Sequence, residues 1–210
     1  MSSKKYSIGI DFGTESARVL VVDVSNGRAV SSVVYPYKDG VIDRRLPGAK
    51  ASLPPDTALQ NPADYLDSLK RGIPAALRKG RIKPSDVIGL GVDFTSCTTL
   101  PIDRDGNPLC FRKDLRQNPH SWVKLWKHHS TQSEADRVNE MGRERNESFL
   151  RRYGGKISSE WFFPKVLEVL NDAPTVYEAA HKFIEGGDWI VLKLTGNEKR
   201  SACQAGYKGM

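Results

Sequence analysis

The residues best suited to chemistry in this sequence lie in a short stretch between two predicted strands. Asp11 ends the first strand, and Gly13, Thr14 and Ser16 follow it. A glycine lets the backbone approach an anion closely, and successive turn amides can bind phosphate oxygens. A carboxylate at a strand end suits a largely hydrated Mg²⁺ ion. The stretch therefore predicts a magnesium and phosphate site, although its spacing also fits an ordinary hairpin turn.

Two strands must position this stretch, and the sequence predicts both. Residues 6–11 form the first, and residues 17–23 form the second, with a β-branched run suited to burial. Asn26-Gly27 is a strong hairpin signal, and residues 29–37 form a third strand. The chain is therefore predicted to open with a three-stranded antiparallel meander.

The remainder of the chain alternates between strand and helix patterns. A helix is predicted to begin at Asn61 as N-cap, with Pro62 in its first turn. The other predicted elements are a buried strand at 87–93, a strand at 98–102, a strand fragment at 183–184, and helical segments at 121–141, 160–170, 173–181 and 188–194. This order is typical of α/β or α+β layering.

The composition places the chain among soluble globular proteins. Of its 210 residues, 39% are hydrophobic and 27% are charged, which excludes a disordered or fibrous chain. No apolar run approaches the roughly 20 residues needed to cross a bilayer. Three cysteines without a Cys-x-x-Cys pair indicate reduced thiols and a cytoplasmic location. The net charge of +7 suits a phosphorylated substrate or nucleic acid, or is simply a solvated basic surface.

The turn after the first strand resembles the phosphate-binding motif of the actin, hexokinase and heat-shock ATPase superfamily. Within it, the chain is most similar to the FGGY carbohydrate kinases, and in that family to the L-ribulokinase group. The stretches that carry the resemblance are, in chain order, Gly9–Arg18, Gly91–Cys97, Pro101–Gly106, Leu125–His129, Tyr153–Trp161, Asp188–Trp189 and Ala205–Lys208. Because they follow the family's order along nearly the whole chain, together they are more specific than any one of them.

The resemblance implies roles for residues near the turn. Asp11 would coordinate Mg²⁺ through water. The ATP phosphates would face the turn residues Gly13, Thr14 and Ser16, and Arg18 would support the loop.

The same resemblance implies a sugar site. Ser96, with its neighbours Thr95 and Cys97, would contact the ketose, and Lys208 would hydrogen-bond sugar hydroxyls. Trp126 would form one wall, because an indole offers a flat apolar face and one donor. Asp93, at a strand end where ligands of α/β proteins collect, is a further candidate, with a core-capping carboxylate as the alternative.

The resemblance also implies a fold and an activity. Residues 1–210 would form the N-terminal, sugar-binding, actin-like (RNase H-like) α/β domain, with a mixed five-stranded sheet and flanking helices. The activity would be ATP- and Mg²⁺-dependent phosphorylation of a ketopentose, L-ribulose to L-ribulose 5-phosphate, in L-arabinose catabolism.

The remaining parts of the enzyme are expected outside this chain. A second, nucleotide-binding domain and a general-base Asp are expected beyond Met210, so the chain alone is expected to be an inactive fragment. Its expected partners are the ketose and the C-terminal kinase domain, without nucleic acid or membrane. Apolar surface normally covered by that domain predicts self-association into a homo-oligomer.

One position departs from the family pattern. His128 occupies the place of the family's Asp after Trp-Lys, which leaves the substrate preference open. His120, His129 and His181 are expected to be structural, because no zinc spacing occurs among them.

Two other classes of protein remain as alternatives. One is another member of the same ATPase superfamily. The other is a nucleic-acid-binding module using the basic residues 78–83 and Arg151-Arg152, although these lack interleaved aromatics.

Overall fold

The computed structural model describes residues 4–208, with the side chains of Tyr207 and Lys208 outside the described part. The chain divides into two compact units. The first unit takes the chain up to Val41 together with Asn61–Thr95, and the second takes Ile42–Gln60 together with the chain from Ser96 onward. Within residues 4–208, no helix combines the length and the apolarity that crossing a bilayer requires.

The described residues contain eight strands and eight α-helices, besides short 3₁₀ and π-helical segments. The strands are β1 (Tyr6–Phe12), β2 (Ser16–Asp23), β3 (Arg28–Pro36), β4 (Leu59–Gln60), β5 (Val87–Phe94), β6 (Thr99–Ile102), β7 (Val123–Lys124) and β8 (Lys182–Glu185). The helices are α1 (Pro62–Asp67), α2 (Ile73–Gly80), α3 (Gln132–Glu144), α4 (Phe149–Arg152), α5 (Phe162–Asp172), α6 (Pro174–Ala179), α7 (Gly186–Thr195) and α8 (Ala202–Lys208).

The first unit is built on a mixed sheet with strand order β3-β2-β1-β5. The pairs β1–β2 and β2–β3 are antiparallel, and β5 is parallel to β1. Alternate residues of β1 and β2 are buried, and α2 packs on this sheet, where Ser31 donates a hydrogen bond to the carbonyl of Ala76. The mixed α/β architecture is confirmed, with four strands in this sheet of the described chain where five were expected.

The second unit contains a second sheet, which the sequence did not predict. Its order is β4-β7-β6-β8, and every pairing is antiparallel. The predicted strand at 98–102 belongs here as β6, because it pairs with β8 over Thr99–Ile102. Helices α3 and α5 to α7 belong to the same unit.

The predicted helix at 121–141 begins only at Gln132, and the segment before it is largely irregular. The backbone there is used for sheet pairing, because β7 pairs with β4 and the amide of Leu125 donates to the carbonyl of Ala58. The apolar residues that suggested a helix, Trp122 and Leu125, are buried in this extended chain instead.

A buried polar cluster around Glu168 fixes the same segment to α5. Glu168 is 5% exposed and accepts hydrogen bonds from Lys124, from Ser130 Oγ at 2.5 Å and from His128 Nε2 at 3.1 Å. The amide of Ala58 donates to His128 Nδ1 at 3.1 Å, so the ring proton sits on Nε2. Burial lowers the pKa of His128 to about 4, which keeps the ring neutral at pH 7. His128 is therefore a structural residue of this cluster.

Replacing Glu168 should weaken the second unit strongly. In Glu168→Gln the buried ammonium of Lys124 loses its anionic partner, and breaking a buried pair from one side costs about 3–5 kcal/mol. We expect the free energy of unfolding in urea at pH 7 to fall by that amount. The matched control Glu140→Gln, at an exposed position of α3, should change it by no more than about 0.5 kcal/mol. Equal stability of the two variants would contradict the role given to this cluster.

Strand β5 is an exposed edge rather than the predicted buried strand. It pairs with β1 alone among the described strands, and Ile88 and Leu90 are 62% and 40% exposed. Unpaired backbone groups beside apolar side chains are a template for pairing with another chain.

This edge should make the chain associate with itself. We expect light scattering coupled to gel filtration to show a mass that rises with concentration, and Leu90→Lys to restore the monomer mass. Val24→Lys, at an exposed residue in the turn after β2, is the matched control and should leave the association unchanged. A wild-type chain that stays monomeric at high concentration would contradict the prediction.

Candidate functional site

The turn between β1 and β2 is tight and depends on a glycine. The amide of Gly13 donates to the carbonyl of Ser16 at 3.0 Å, and a Cβ at Gly13 would lie 3.2 Å from that oxygen. A larger residue would crowd the turn. Because the Gly13 amide is used inside the turn, a phosphate would have to be bound by groups from Thr14 to Ser16.

A groove runs over one face of the first unit's sheet, next to this turn. Asp11 is in register with Arg18 on β2 and with Asp93 on β5, and all three residues are exposed. They line an open groove of about 310 Å³ together with the paired glycines Gly9 and Gly91. A Cβ on either glycine would meet no atom within 4 Å, so the glycines leave the groove floor open. The structure thus brings together three residues that the sequence singled out, and Asp93 does not cap the core.

The groove fits a hydrated divalent cation. No group of three or more His, Cys, Asp or Glu side chains in residues 4–208 is placed to enclose a metal ion. Mg²⁺ needs no such enclosure, since it commonly takes one or two carboxylates, several waters and substrate phosphate oxygens. The carboxylates of Asp11 and Asp93, on neighbouring strands, meet that requirement.

The candidate sugar residues of the second unit are held in place by one buried lysine. Lys165 Nζ donates to the carbonyl of Cys97 at 2.5 Å and to that of Leu125 at 2.8 Å. Cys97 follows Ser96 directly and has a positive φ of 61°, and Leu125 precedes Trp126. One ammonium therefore joins the two segments that carry Ser96 and Trp126.

Lys165 is 0% exposed, and burial lowers its pKa to about 7, against the opposing effect of the Glu185 charge. The sequence did not predict a role for Lys165, because α5 buries its charged face. Its buried face carries Lys165 and Glu168, whereas Phe163 and Leu170 are 48% and 43% exposed. Opposite charges three residues apart on a helix normally indicate a solvated surface pair, so the pattern gave no signal of burial.

The remaining candidates lie elsewhere. Thr95 is half-buried at the end of the first unit, directly after β5. Lys208 is the last residue of α8, and its side chain lies outside the described residues. Asp188 is in the first turn of α7, where its Oδ1 accepts from the amide of Ser201 at 2.9 Å.

Curated relatives resemble the chain over almost its whole length. It is 51% identical over 207 residues to a ribulokinase of Geobacillus thermodenitrificans and 53% identical over 207 residues to a ribulokinase of Shouchella clausii. Both alignments cover 99% of this chain but 36% and 37% of the relatives, so the chain spans little more than a third of their length.

Solved structures of sugar kinases share the fold. A gluconate kinase from Lactobacillus acidophilus superposes with a TM-score of 0.73 at 20% identity, over 99% of this chain and 36% of that chain. A xylulose kinase from Rhodospirillum rubrum gives 0.73 at 19% identity, over 96% of this chain and 36% of that chain. The actin-like α/β fold expected from the sequence is thereby confirmed.

The N-terminal domain of the FGGY family of carbohydrate kinases matches residues 6–210. Since that match extends over nearly every residue, the chain belongs to the FGGY family of carbohydrate kinases.

Proposed function

We propose that this chain is the sugar-binding N-terminal part of an ATP-dependent ketopentose kinase, and that its substrate is L-ribulose, converted to L-ribulose 5-phosphate. The choice of L-ribulose rests on two relatives named ribulokinase at 51% and 53% identity. The structural observation that carries the kinase proposal is the groove in which Asp11 and Asp93 flank a glycine floor beside the Gly13 turn.

The groove is assigned to the nucleotide phosphates. Asp11 holds the hydration shell of Mg²⁺, Thr14 and Ser16 bind phosphate oxygens, and Arg18, across from Asp11, adds a positive charge beside them. A bound Mg²⁺ ion would supply positive charge opposite the charge that develops on the transferred phosphoryl group. Phosphoryl transfer depends mainly on such positioning and electrostatics, so fixed groups on rigid strands suit it.

The sugar is assigned to the segments that follow β5 and β7. Ser96, with Thr95 and Cys97, binds sugar hydroxyls, and Trp126 forms an apolar wall. Lys208 completes this set, and Asp93, which lines the groove of the first unit, is a further candidate.

No residue of this chain is assigned as the general base. A sugar hydroxyl needs a proton acceptor positioned at its attack geometry. In the proposal this carboxylate and the adenine-binding domain come from the additional length that the relatives have. The 210-residue chain alone therefore binds sugar without turning over ATP.

The substrate assignment can be tested by calorimetric titration of the chain with L-ribulose, D-xylulose and D-gluconate. We expect L-ribulose to bind about ten-fold more tightly than either competitor, a difference of about 1.4 kcal/mol. An enzyme-coupled ADP assay on the same chain should give no turnover. Preference for D-gluconate or D-xylulose would contradict the substrate, and turnover near the usual kinase range of about 1–100 s⁻¹ would contradict the missing base.

Lys165 should affect the affinity for the sugar, although the proposal does not place this residue in contact with the sugar. Lys165→Met keeps the length of the side chain but leaves the carbonyls of Cys97 and Leu125 without their donor. We expect the affinity for L-ribulose to fall by at least about ten-fold in a chain that is still folded by circular dichroism. The control Lys156→Met, at an exposed position, should bind like the wild type. Unchanged affinity in Lys165→Met would show that the two segments do not need this link.

A further inference from the structure

The second unit contains a cavity that the proposed function does not use. It measures about 170 Å³ and is lined by Phe162, Glu185, Asp188, Arg200 and Ala205. Since one water molecule takes roughly 30 Å³ of liquid, this space is large enough for a small polar ligand. Its wall includes one residue of α8, the helix that ends at Lys208.

Glu185 is the unusual member of this lining. The residue is 4% exposed, and neither carboxylate oxygen has a partner with hydrogen-bond geometry among the described residues. It ends β8 and precedes the first turn of α7, but its side chain does not cap that helix. The amides of Cys97 and Thr98 lower the pKa of Glu185 without reaching hydrogen-bond geometry. A buried carboxylate without well-aligned donors is costly, and such a group calls for a ligand or another explanation.

The charges around Glu185 are mixed. Lys165 on α5 favours its charged form, and Asp188 on α7 opposes it. Arg200, from the segment before α8, is engaged by Glu198, to which its Nε donates at 3.1 Å. Burial raises the pKa of Glu185 to about 8, so most Glu185 side chains are protonated at pH 7.

Glu185 also lies beside the candidate sugar segment. The backbone amides of Cys97 and Thr98 lower the pKa of its carboxyl group. The amide of Gly186, the next residue, donates to the carbonyl of Thr98 at 2.7 Å. Lys165, which donates to the carbonyl of Cys97, is also the cation whose charge lowers the pKa of Glu185. The cavity therefore adjoins the turn that carries Ser96.

We propose that Glu185 is a specificity-determining residue that binds the sugar: its carboxylate accepts hydrogen bonds from hydroxyls of a neutral polyol in the cavity lined by Phe162, Asp188 and Ala205. This inference rests on the proposed function and extends it. A neutral polyol supplies the donors that the carboxylate lacks. A sugar acid would bring an anion beside Asp188 and would oppose the ionisation of Glu185, and like charges at short range disfavour binding. Glu185 thus selects ketoses against aldonates.

The test compares Glu185→Gln with the exposed control Glu140→Gln in the 210-residue chain. Titrations use L-ribulose and D-gluconate. The amide keeps the size of the side chain but loses the charged acceptor, so we expect L-ribulose to bind at least about ten-fold more weakly. D-Gluconate should bind Glu185→Gln no more weakly than it binds the wild type. The ratio of the affinities for L-ribulose and D-gluconate should therefore be smaller in the variant. The control should match the wild type with both ligands.

Proton release gives a readout that a structural role would not move. Hydrogen bonds from hydroxyls favour the charged form of Glu185, so binding at pH 7 should expel protons from the wild type. The binding enthalpy of L-ribulose should then vary with the ionisation enthalpy of the buffer in the wild type and stop varying in Glu185→Gln. Thermal unfolding at pH 7 should show Glu185→Gln about as stable as the wild type, since a neutral amide replaces a buried carboxyl group that is mostly protonated.

The outcomes separate this inference from the function on which it rests. If the wild type binds L-ribulose and Glu185→Gln binds it equally well, Glu185 is not a sugar ligand and the kinase proposal stands. If the wild type does not bind L-ribulose, both fail. Should Glu185→Gln unfold, Glu185→Asp replaces it, because the shorter carboxylate keeps the charge but withdraws from the ligand. Full affinity in Glu185→Asp would likewise overturn the inference.

Discussion

The second unit depends on the burial of ammonium groups, and Lys165 is the one on which its candidate site rests. A fully buried ammonium must be compensated by acceptors, because desolvation is expensive. The acceptors of Lys165 are two carbonyls from segments 28 residues apart in the chain, those of Cys97 and Leu125. Satisfying the charge therefore fixes both segments at once, and the positive φ of Cys97 is held within that arrangement. Lys124 does the same for the irregular chain before α3 through Glu168.

The first unit shows how far local sequence signals reach. The strands β1 to β3 follow one another with short turns, so periodicity and the Asn26-Gly27 signal were enough to predict them. The turn containing Gly13 was predicted for the same reason. What local signals could not provide was the parallel pairing of β1 with β5, which aligns Asp11 with Asp93, 82 residues later. Each carboxylate was found, but their placement in one groove depends on a non-local contact.

The second unit contains features that local sequence signals could not predict. Strands β4 and β7 have two residues each, too few for any period, and their pairing displaced the helix expected at 121–141. Helix α5 is amphipathic in sequence, yet it buries Lys165 and Glu168 and exposes Phe163. Hydrophobic patterning predicts burial from side-chain polarity. It fails when charged groups are compensated by carbonyls and by one another inside the unit, because that compensation comes from distant residues.

Buried charge also bears on how a sugar site can be selective. The hydroxyl groups of ketoses and aldonates are chemically alike, so contacts between exposed side chains and these hydroxyls discriminate poorly between the two classes. A desolvated acceptor discriminates better, because an unmatched ligand leaves it unpaired at the full cost of its burial. Glu185 is a buried acceptor of this kind, and Lys165 binds the carbonyl of Cys97 in the neighbouring turn. The cost of burying the Lys165 amine and the Glu185 carboxyl group is carried by the fold before any ligand arrives. A ligand that supplies the missing hydrogen bonds recovers part of that cost as affinity, which links the cost of this burial to specificity.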